Sequence, residues 1–288
     1  MSDLPPPPEI LLHILEEKIL DITVVTGGEV NVAAKFDTPT RSVLAKWRPG
    51  APVDAFLTEA ADLEKLRAAG SLRVPKVIAV GTTYLALEWL EPVPPGPDFG
   101  QKFAAGLANL HRTTSAQFGL ERDNYLGSQV QLNGWDTHWP TFYREKRLLP
   151  QVARALENGH LPPQRERLLE EVLTRLPELL YDMDEPPSLL HGDLWAGNFL
   201  CTGAGGEPAL IDPAVYFGPR ELEIAYIELF SGFPPGFVEL YEEIYPLDSE
   251  YSRRRPVHQL WPLLIHLNHF GESYGSHVDS ACEQALDV

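Results

Sequence analysis

The sequence predicts an α+β protein in two lobes: a small N-terminal antiparallel sheet carrying one helix, then a large, mostly helical lobe. Three observations predict it. Residues 21–47 and 76–90 hold short runs rich in Val, Ile, Thr and aromatic residues, separated by turn residues. Pro92-Val93-Pro94-Pro95-Gly96-Pro97 can be neither helix nor inner strand. Beyond it, apolar residues recur mostly at helical spacing. The proline stretch is therefore the expected linker between a lobe of residues 1–91 and a lobe of residues 92–288.

Taken in order, residues 9–20 place Ile10, Ile14 and Leu15 at helical spacing among acidic groups. Ile22 to Val25, Val30 to Phe36 and Ser42 to Trp47 read as strands. Residues 54–69 read as a helix that stops at Gly70, a residue suited to the left-handed C-terminal cap. Lys76 to Val80 and Tyr84 to Leu90 complete the sheet, joined by Gly81-Thr82-Thr83. Residues 99–112, 137–157, 163–181, 220–230 and 256–273 read as helices. The exception is residues 198–212: two strand-like runs flank Gly203-Ala204-Gly205-Gly206-Glu207, the pattern of a β-hairpin.

Composition narrows the function classes. The 288 residues suffice for a real core in each lobe. The net charge is −18, which disfavours nucleic acid and anionic membranes as partners. Residues 1–91 carry 9 Lys/Arg against 13 Asp/Glu, and residues 92–288 carry 14 against 28. The acidic second half suits a cationic or amine-bearing substrate, although acidity also serves solubility alone. Two cysteines, Cys201 and Cys282, cannot build a disulfide framework. The first residues lack the basic start and apolar stretch of a signal peptide. No apolar run approaches the roughly 18 residues that span a bilayer. A cytoplasmic protein is expected.

The chemistry resides in His191-Gly192-Asp193-Leu194-Trp195-Ala196-Gly197-Asn198. Phosphoryl transfer needs an oriented hydroxyl, a carboxylate for its proton and metal ions against phosphate charge. An Asp followed five residues later by an Asn is the H-x-D-x-x-x-x-N spacing of a kinase catalytic loop. The hairpin folds the chain back, so Asn198 at one end and Asp212 at the other come together. An amide oxygen and a carboxylate there form a hard-oxygen site for Mg²⁺, completed by nucleotide phosphates and water. Asp193 is then the catalytic carboxylate, and His191 a structural member of the loop. Each fragment by itself is an ordinary polar turn; their order around one hairpin predicts a protein-kinase-like fold that uses ATP and Mg²⁺.

The first lobe must then supply a phosphate-binding lysine. Val43-Leu44-Ala45-Lys46 resembles the V-A-I-K strand of kinases. Lys46 is favoured over Lys35 in the preceding strand. Glu59 is its expected partner: it shares a helix face with Leu63 and Leu66, where an unpaired charge is costly. Glu64 lies on another face, toward solvent. The turn Thr26-Gly27-Gly28-Glu29 stands where a phosphate-covering loop belongs, with Gly27 and Gly28 as candidate nucleotide contacts, but it lacks the full G-x-G-x-x-G and equally suits a plain hairpin. Glu88, Trp89 and Leu90 end the last strand at the linker, where a kinase hinge offers backbone groups to adenine.

These residues and several longer segments resemble the fructosamine kinase (ketosamine-3-kinase) family, within the aminoglycoside-phosphotransferase-like kinases. The resemblance is carried by residues 189–198, by 212–218 (Pro213 standing where protein kinases have Phe), and by residues 220–225 and 229–233. Further matches are Asn133-Gly134-Trp135, residues 139–143, 147–151, 107–111 and 266–271. Together they span about Val24 to Tyr274. The resemblance implies ATP-dependent phosphorylation of the 3-hydroxyl of small-molecule or protein-bound ketoamines, ribulosamine or fructosamine adducts, which then release the free amine. Aminoglycoside or choline-like acceptors would use the same loop without the tryptophan-rich segments. A pseudokinase is disfavoured because Lys46, Asp193, Asn198 and Asp212 are all present.

The sequence departs from the family in three places. Glu223 stands where many relatives brace the loop with Asp. Ser231 replaces a Gly. The glycine turn has no cysteine. For the acceptor, Trp195 offers an indole inside the loop, Trp135 offers another, and Asp136 and Glu221 are the candidate carboxylates for the ketoamine nitrogen. Trp139, Phe142 and Tyr143 suit a core better than a pocket.

Overall fold

A computed structural model of the chain describes residues 7, 17–25, 30–181 and 185–287. The first lobe is a five-stranded antiparallel sheet in the order β1-β2-β3-β5-β4, formed by Asp21–Val24, Val32–Asp37, Ser42–Trp47, Tyr84–Glu88 and Val77–Val80, respectively. Helix α1, Ala55–Ala69, connects β3 to β4 and ends on Gly70 at φ 67°. Strand alternation sorts the side chains. Val43, Ala45 and Trp47 join Ala34, Phe36, Tyr84 and Ala86 in one buried cluster. Lys46, paired with Leu85, points to the opposite face with Leu87, into the core that contains Phe56, Leu63 and Leu66 of α1. That core continues without a break into the helical lobe.

The predicted helix at 9–20 falls mostly outside the described residues, as do Gly27 and Gly28. Residues 18–20 are not helical: the Leu20 N–H donates to the Asp37 carbonyl and prolongs the β1–β2 ladder. The linker is pinned rather than free. Pro92 bridges to Thr202, and the Val93 N–H donates to the Cys201 carbonyl at 2.9 Å.

The second lobe holds α2 (Phe99–His111), a helical stretch from Trp139 to Glu157 and α5 (Pro163–Leu179). Within that stretch, α3 (Trp139–Phe142) passes through a π-helical turn, Tyr143–Leu148, into α4 (Leu149–Glu157). After them come α6 (Arg220–Leu229), α7 (Phe237–Ile244), α8 (Tyr251–Phe270) and α9 (Gly275–Leu286). It contains more sheet than the single expected hairpin. Strands β6 (Phe118–Leu120), β9 (Gly134–Asp136), β10 (Ser188–Leu190) and β13 (Tyr216–Gly218) form one sheet in the order β10-β13-β6-β9. Strands β7 (Asn124–Leu126) and β8 (Gln129–Gln131) form a hairpin. Three-residue strands are too short to establish a period of two, so the pattern misses them. Helices α7 and α9 were missed as well, and α8 begins five residues before its apolar pattern suggests. Among the described residues, no helix is long and apolar enough to cross a membrane.

Candidate active site

The hairpin predicted around residues 198–212 is present. Strands β11 (Phe199–Thr202) and β12 (Glu207–Leu210) pair with Phe199 opposite Leu210. The Ile211 N–H donates to the Asn198 carbonyl at 3.0 Å, which brings Asn198 and Asp212 to the open end of one ladder.

Asp193 lies in the turn between β10 and this hairpin. Gly192 makes the turn at φ 85°, and a Cβ there would lie 1.9 Å from the Ala214 carbonyl oxygen, so only glycine fits. The loop is held from below by Glu223 of α6. Its carboxylate accepts the N–H of Gly192 at 2.8 Å and that of His191 at 3.2 Å. His111 meets the same carboxylate at 3.0 Å and is itself bonded to Tyr241 at 2.8 Å. Burial works against the charge of Glu223, but the His111 hydrogen bond and the nearby donors outweigh it and hold its pKa below the ordinary value. The longer glutamate thus reaches both loop amides. His191 is fully buried and spends its ring on the loop: Nε2 donates to the Ile211 carbonyl at 2.8 Å, leaving Nδ1 to accept the Asp193 N–H at 3.3 Å.

The Asp193 carboxylate receives two side-chain donors. Tyr226 Oη donates to Oδ1 at 2.9 Å, and Asn198 Nδ2 donates to Oδ2 at 2.9 Å. Asn198 Nδ2 also reaches the Asp193 carbonyl at 2.8 Å. Burial raises the pKa of Asp193 above the usual aspartate value despite these donors, which gives it proton affinity as a base. Tyr226 carried no sequence expectation. Its signal was present: Glu223 and Tyr226 fall at i and i+3 on one face of α6.

Lys46 Nζ bonds Glu59 Oε1 at 2.8 Å and also Asp212 Oδ1. Burial disfavours its charge, but the two carboxylates outweigh that and hold the ammonium firmly protonated. Lys35, the rival, bonds Asp37 at 3.2 Å and lies over the Trp89 ring. Asp212 has φ 53°, the one non-glycine residue with positive φ among the described residues. Such a backbone costs on the order of 1–3 kcal/mol and concentrates at functional sites. The fit of this pair to Mg²⁺ can be judged from its donors. Asn198 commits its NH₂ to Asp193, which leaves its amide oxygen as the group available to a cation. Asp212 supplies one carboxylate in a strained, oriented turn. Among the described residues, no three His, Cys, Asp or Glu side chains are arranged to hold a metal by themselves. That suits Mg²⁺, which is bound by one or two protein oxygens together with phosphates and water.

At the hinge, the Glu88 N–H donates to the Lys76 carbonyl and the Trp89 N–H to the Ser42 carbonyl, so these two donors belong to the sheet. The Glu88 carboxylate bonds Arg73 at 2.6 Å, and Leu90 is buried.

The acceptor candidates separate. Trp195 is 44% exposed, and its indole packs against Gly197, where a Cβ would come within 2.2 Å of the ring. Trp135 is 43% exposed at the edge strand β9, with Phe217 as its ring neighbour at 6.2 Å. Asp136 accepts the His138 N–H at 2.8 Å and shapes the turn into α3. Glu221 is corrected: it is buried, and both its oxygens are taken by Arg254, at 2.6 and 2.9 Å. Although burial opposes it, Arg254 and His258 hold its pKa down at about 2. A carboxylate already neutralised inside the lobe has no capacity left for a substrate amine. Trp139, Phe142 and Tyr143 are core residues.

The comparisons with known proteins agree on one family. The fructosamine kinase family model matches residues 10–288. A protein of Enterococcus faecium named "probable ketoamine kinase" is 41% identical over 267 residues, covering 90% of this chain and 93% of its own. One of Lactiplantibacillus plantarum with the same name is 37% identical over 265 residues, covering 91% and 92%. A crystal structure from Thermobifida fusca, named "putative fructosamine-3-kinase", superposes with a TM-score of 0.87 at 31% identity, covering 96% of this chain and 98% of that one. A two-lobed kinase fold, a braced H-G-D loop, a lysine–glutamate pair and sequence identity along nearly the whole length agree, and the chain belongs to the fructosamine kinase family.

Proposed function

We propose that this protein transfers the γ-phosphoryl group of ATP to the 3-hydroxyl of ketosamines, ribulosamine or fructosamine adducts on small amines or on protein. The observation that carries this reading is the Asp193 carboxylate, half-buried and oriented by Tyr226 and Asn198 within electrostatic reach of Asp212. The family and the names of the E. faecium and L. plantarum relatives support the choice of acceptor.

In this reading, Asp193 accepts a hydrogen bond from the acceptor hydroxyl and takes its proton as that oxygen bonds the γ-phosphorus. The bond from the γ-phosphorus to the bridging oxygen of ADP breaks. Lys46, held by Glu59, grips the α- and β-phosphates. Asn198 and Asp212 would hold Mg²⁺, which when bound would neutralise charge on the phosphate oxygens. Glu223 and His191 keep the loop in place, and the exposed indole of Trp195 offers a stacking face to the sugar. The phosphorylated adduct then releases its amine, so the biological outcome is deglycation. Two free cysteines suit the reducing cytoplasm as the site of action.

The test is an acceptor panel with Mg·ATP, following ADP release. Ribulosamine- and fructosamine-lysine are expected to be turned over, and the product to carry phosphate on the 3-hydroxyl. Turnover of aminoglycosides or choline without turnover of ketoamines would overturn the assignment.

A further inference from the structure

Asp62 is the most buried carboxylate of α1, 1% exposed and three residues after Glu59. Its Oδ2 accepts Asn124 Nδ2 at 2.7 Å and the backbone N–H of Val215 at 3.2 Å, while its Oδ1 meets Arg122. Asn124 Nδ2 also donates to the Val215 carbonyl at 2.9 Å, so the two side chains grip both polar groups of one residue. Gln131 Nε2 donates to the Ala214 carbonyl at 3.0 Å and to Asn124 Oδ1 at 2.8 Å. Asn133 Nδ2 donates to the same Asn124 oxygen at 3.0 Å.

The chain of contacts continues inward. Arg147 donates to Asn133 Oδ1 at 2.9 Å. This arginine is fully buried and stacks against the Tyr216 and Phe142 rings at 4.0 and 4.8 Å. Asn124, Gln131 and Asn133 are each at most 5% exposed. A buried carboxylate on α1 is therefore linked to a buried cation in the π-helical turn through Asn124 and Asn133, and Asn124 and Gln131 hold residues 214–215. Those residues follow Asp212 after Pro213, and the Ala214 N–H donates to the His191 carbonyl at 3.0 Å.

Such a network is costly to bury; Gln131 Oε1, Arg122 Nε and Arg147 Nε make no hydrogen bond, while the bonds it does make hold its members in one arrangement. Two of the elements it joins are informative. One is the helix that carries Glu59, the partner of Lys46. The other is the segment that carries Asp212, the metal candidate. Asn124 and Gln131 lie on β7 and β8 and Asn133 in the loop after them, immediately before the stretch whose tryptophans suggest an acceptor pocket.

We propose that Asp62, Asn124, Gln131 and Asn133 are positioning residues for phosphoryl transfer, setting α1 in register with the Asp212 segment so that Lys46 and Asp212 address the same phosphates. The segment from Asn124 to Arg147 then serves the nucleotide side of the site rather than the acceptor side. The inference rests on the kinase reading above.

The experiment measures Mg·ATP affinity by calorimetric titration without acceptor, then the KM for ATP, the KM for the ketoamine and kcat, with thermal unfolding as the control for folding. Asp62→Ala is expected to weaken Mg·ATP binding by about tenfold or more, the scale of one lost charged hydrogen bond. It should lower kcat and leave the ketoamine KM unchanged. Asp62→Asn retains an acceptor for Val215 and should recover part of the loss; it also carries the test if the alanine variant does not fold. Asp62→Ala combined with Asn124→Ala should be no worse than the poorer single variant, because both remove one linkage. Folded variants with wild-type nucleotide affinity and kcat would overturn the proposal, as would a change confined to the ketoamine KM. Wild-type protein that binds no Mg·ATP would overturn the kinase reading instead.

Discussion

Tyr226 Oη donates a 2.9 Å hydrogen bond to Asp193 Oδ1 from a helix 33 residues further along the chain. With Asn198 on the other oxygen, it fixes the plane of the carboxylate and so the direction from which a hydroxyl can approach. Asp193→Asn keeps the shape and removes the base. It is expected to lower kcat by about 10²–10⁴-fold while nucleotide binding persists. Tyr226→Phe removes only the orientation and should fall between wild type and Asp193→Asn. Steady-state kinetics with the best acceptor, alongside nucleotide titration, checks both; full activity in Asp193→Asn would exclude it as the base.

Lys46 is gripped by Glu59 and Asp212 together. Lys46→Met removes the cation that faces the phosphates, and kcat/KM for ATP is expected to fall by about 10–100-fold, the range of a charged hydrogen bond. Glu59→Gln should act in the same direction with smaller effect, since the lysine retains Asp212. An ATP titration at saturating acceptor distinguishes these from acceptor defects.

Gly192 faces the Ala214 carbonyl at φ 85°. Gly192→Ala meets both an unfavourable backbone and a clash, and the backbone alone costs about 1–3 kcal/mol. The variant is expected to unfold at lower denaturant and to lose activity out of proportion to its stability, because the turn carries Asp193. A wild-type denaturation midpoint would show that the turn can relax.

Glu221 and Arg254 form a buried ion pair. The folded-state pKa of Glu221, about 2, lies below its ordinary value of 4.5. Its contribution to stability is therefore fully present above about pH 4.5 and is lost as the pH falls toward 2. Glu221→Gln should destabilise the protein by on the order of 3 kcal/mol at pH 7. The difference from wild type should shrink as the pH is lowered from about 4.5. Urea unfolding of both proteins across that range measures it. A pH-independent difference would mean that Arg254 contributes packing rather than charge.

Much of the site is legible in the sequence because its parts are local. Asp193 and Asn198 are five residues apart, and one short hairpin returns the chain to Asp212. Lys46 and Glu59 are separated by a single turn between a strand and a helix. The five-stranded sheet was legible too, since its strands are mostly long enough to alternate. The small sheets of the second lobe were not, being three residues per strand, and helices α7 and α9 went unrecognised.

What the sequence by itself determined, then, is the family, the two-lobed fold and the order of the groups along the catalytic loop and hairpin. Only the tertiary structure decided what each of the other charged and aromatic residues does. Glu221 and Glu223 are two residues apart on one helix, yet Glu221 neutralises Arg254 while Glu223 braces the catalytic turn. Asp62 looks like any helix carboxylate until Asn124 and Val215 converge on it. Trp139 went to the core, whereas Trp195 stayed at the surface of the loop. The physical reason is that a carboxylate's role follows from which donors surround it and how far it is removed from water, and those neighbours come from distant parts of the chain. Periodicity names the face a residue occupies, while the partner waiting on that face is set by packing.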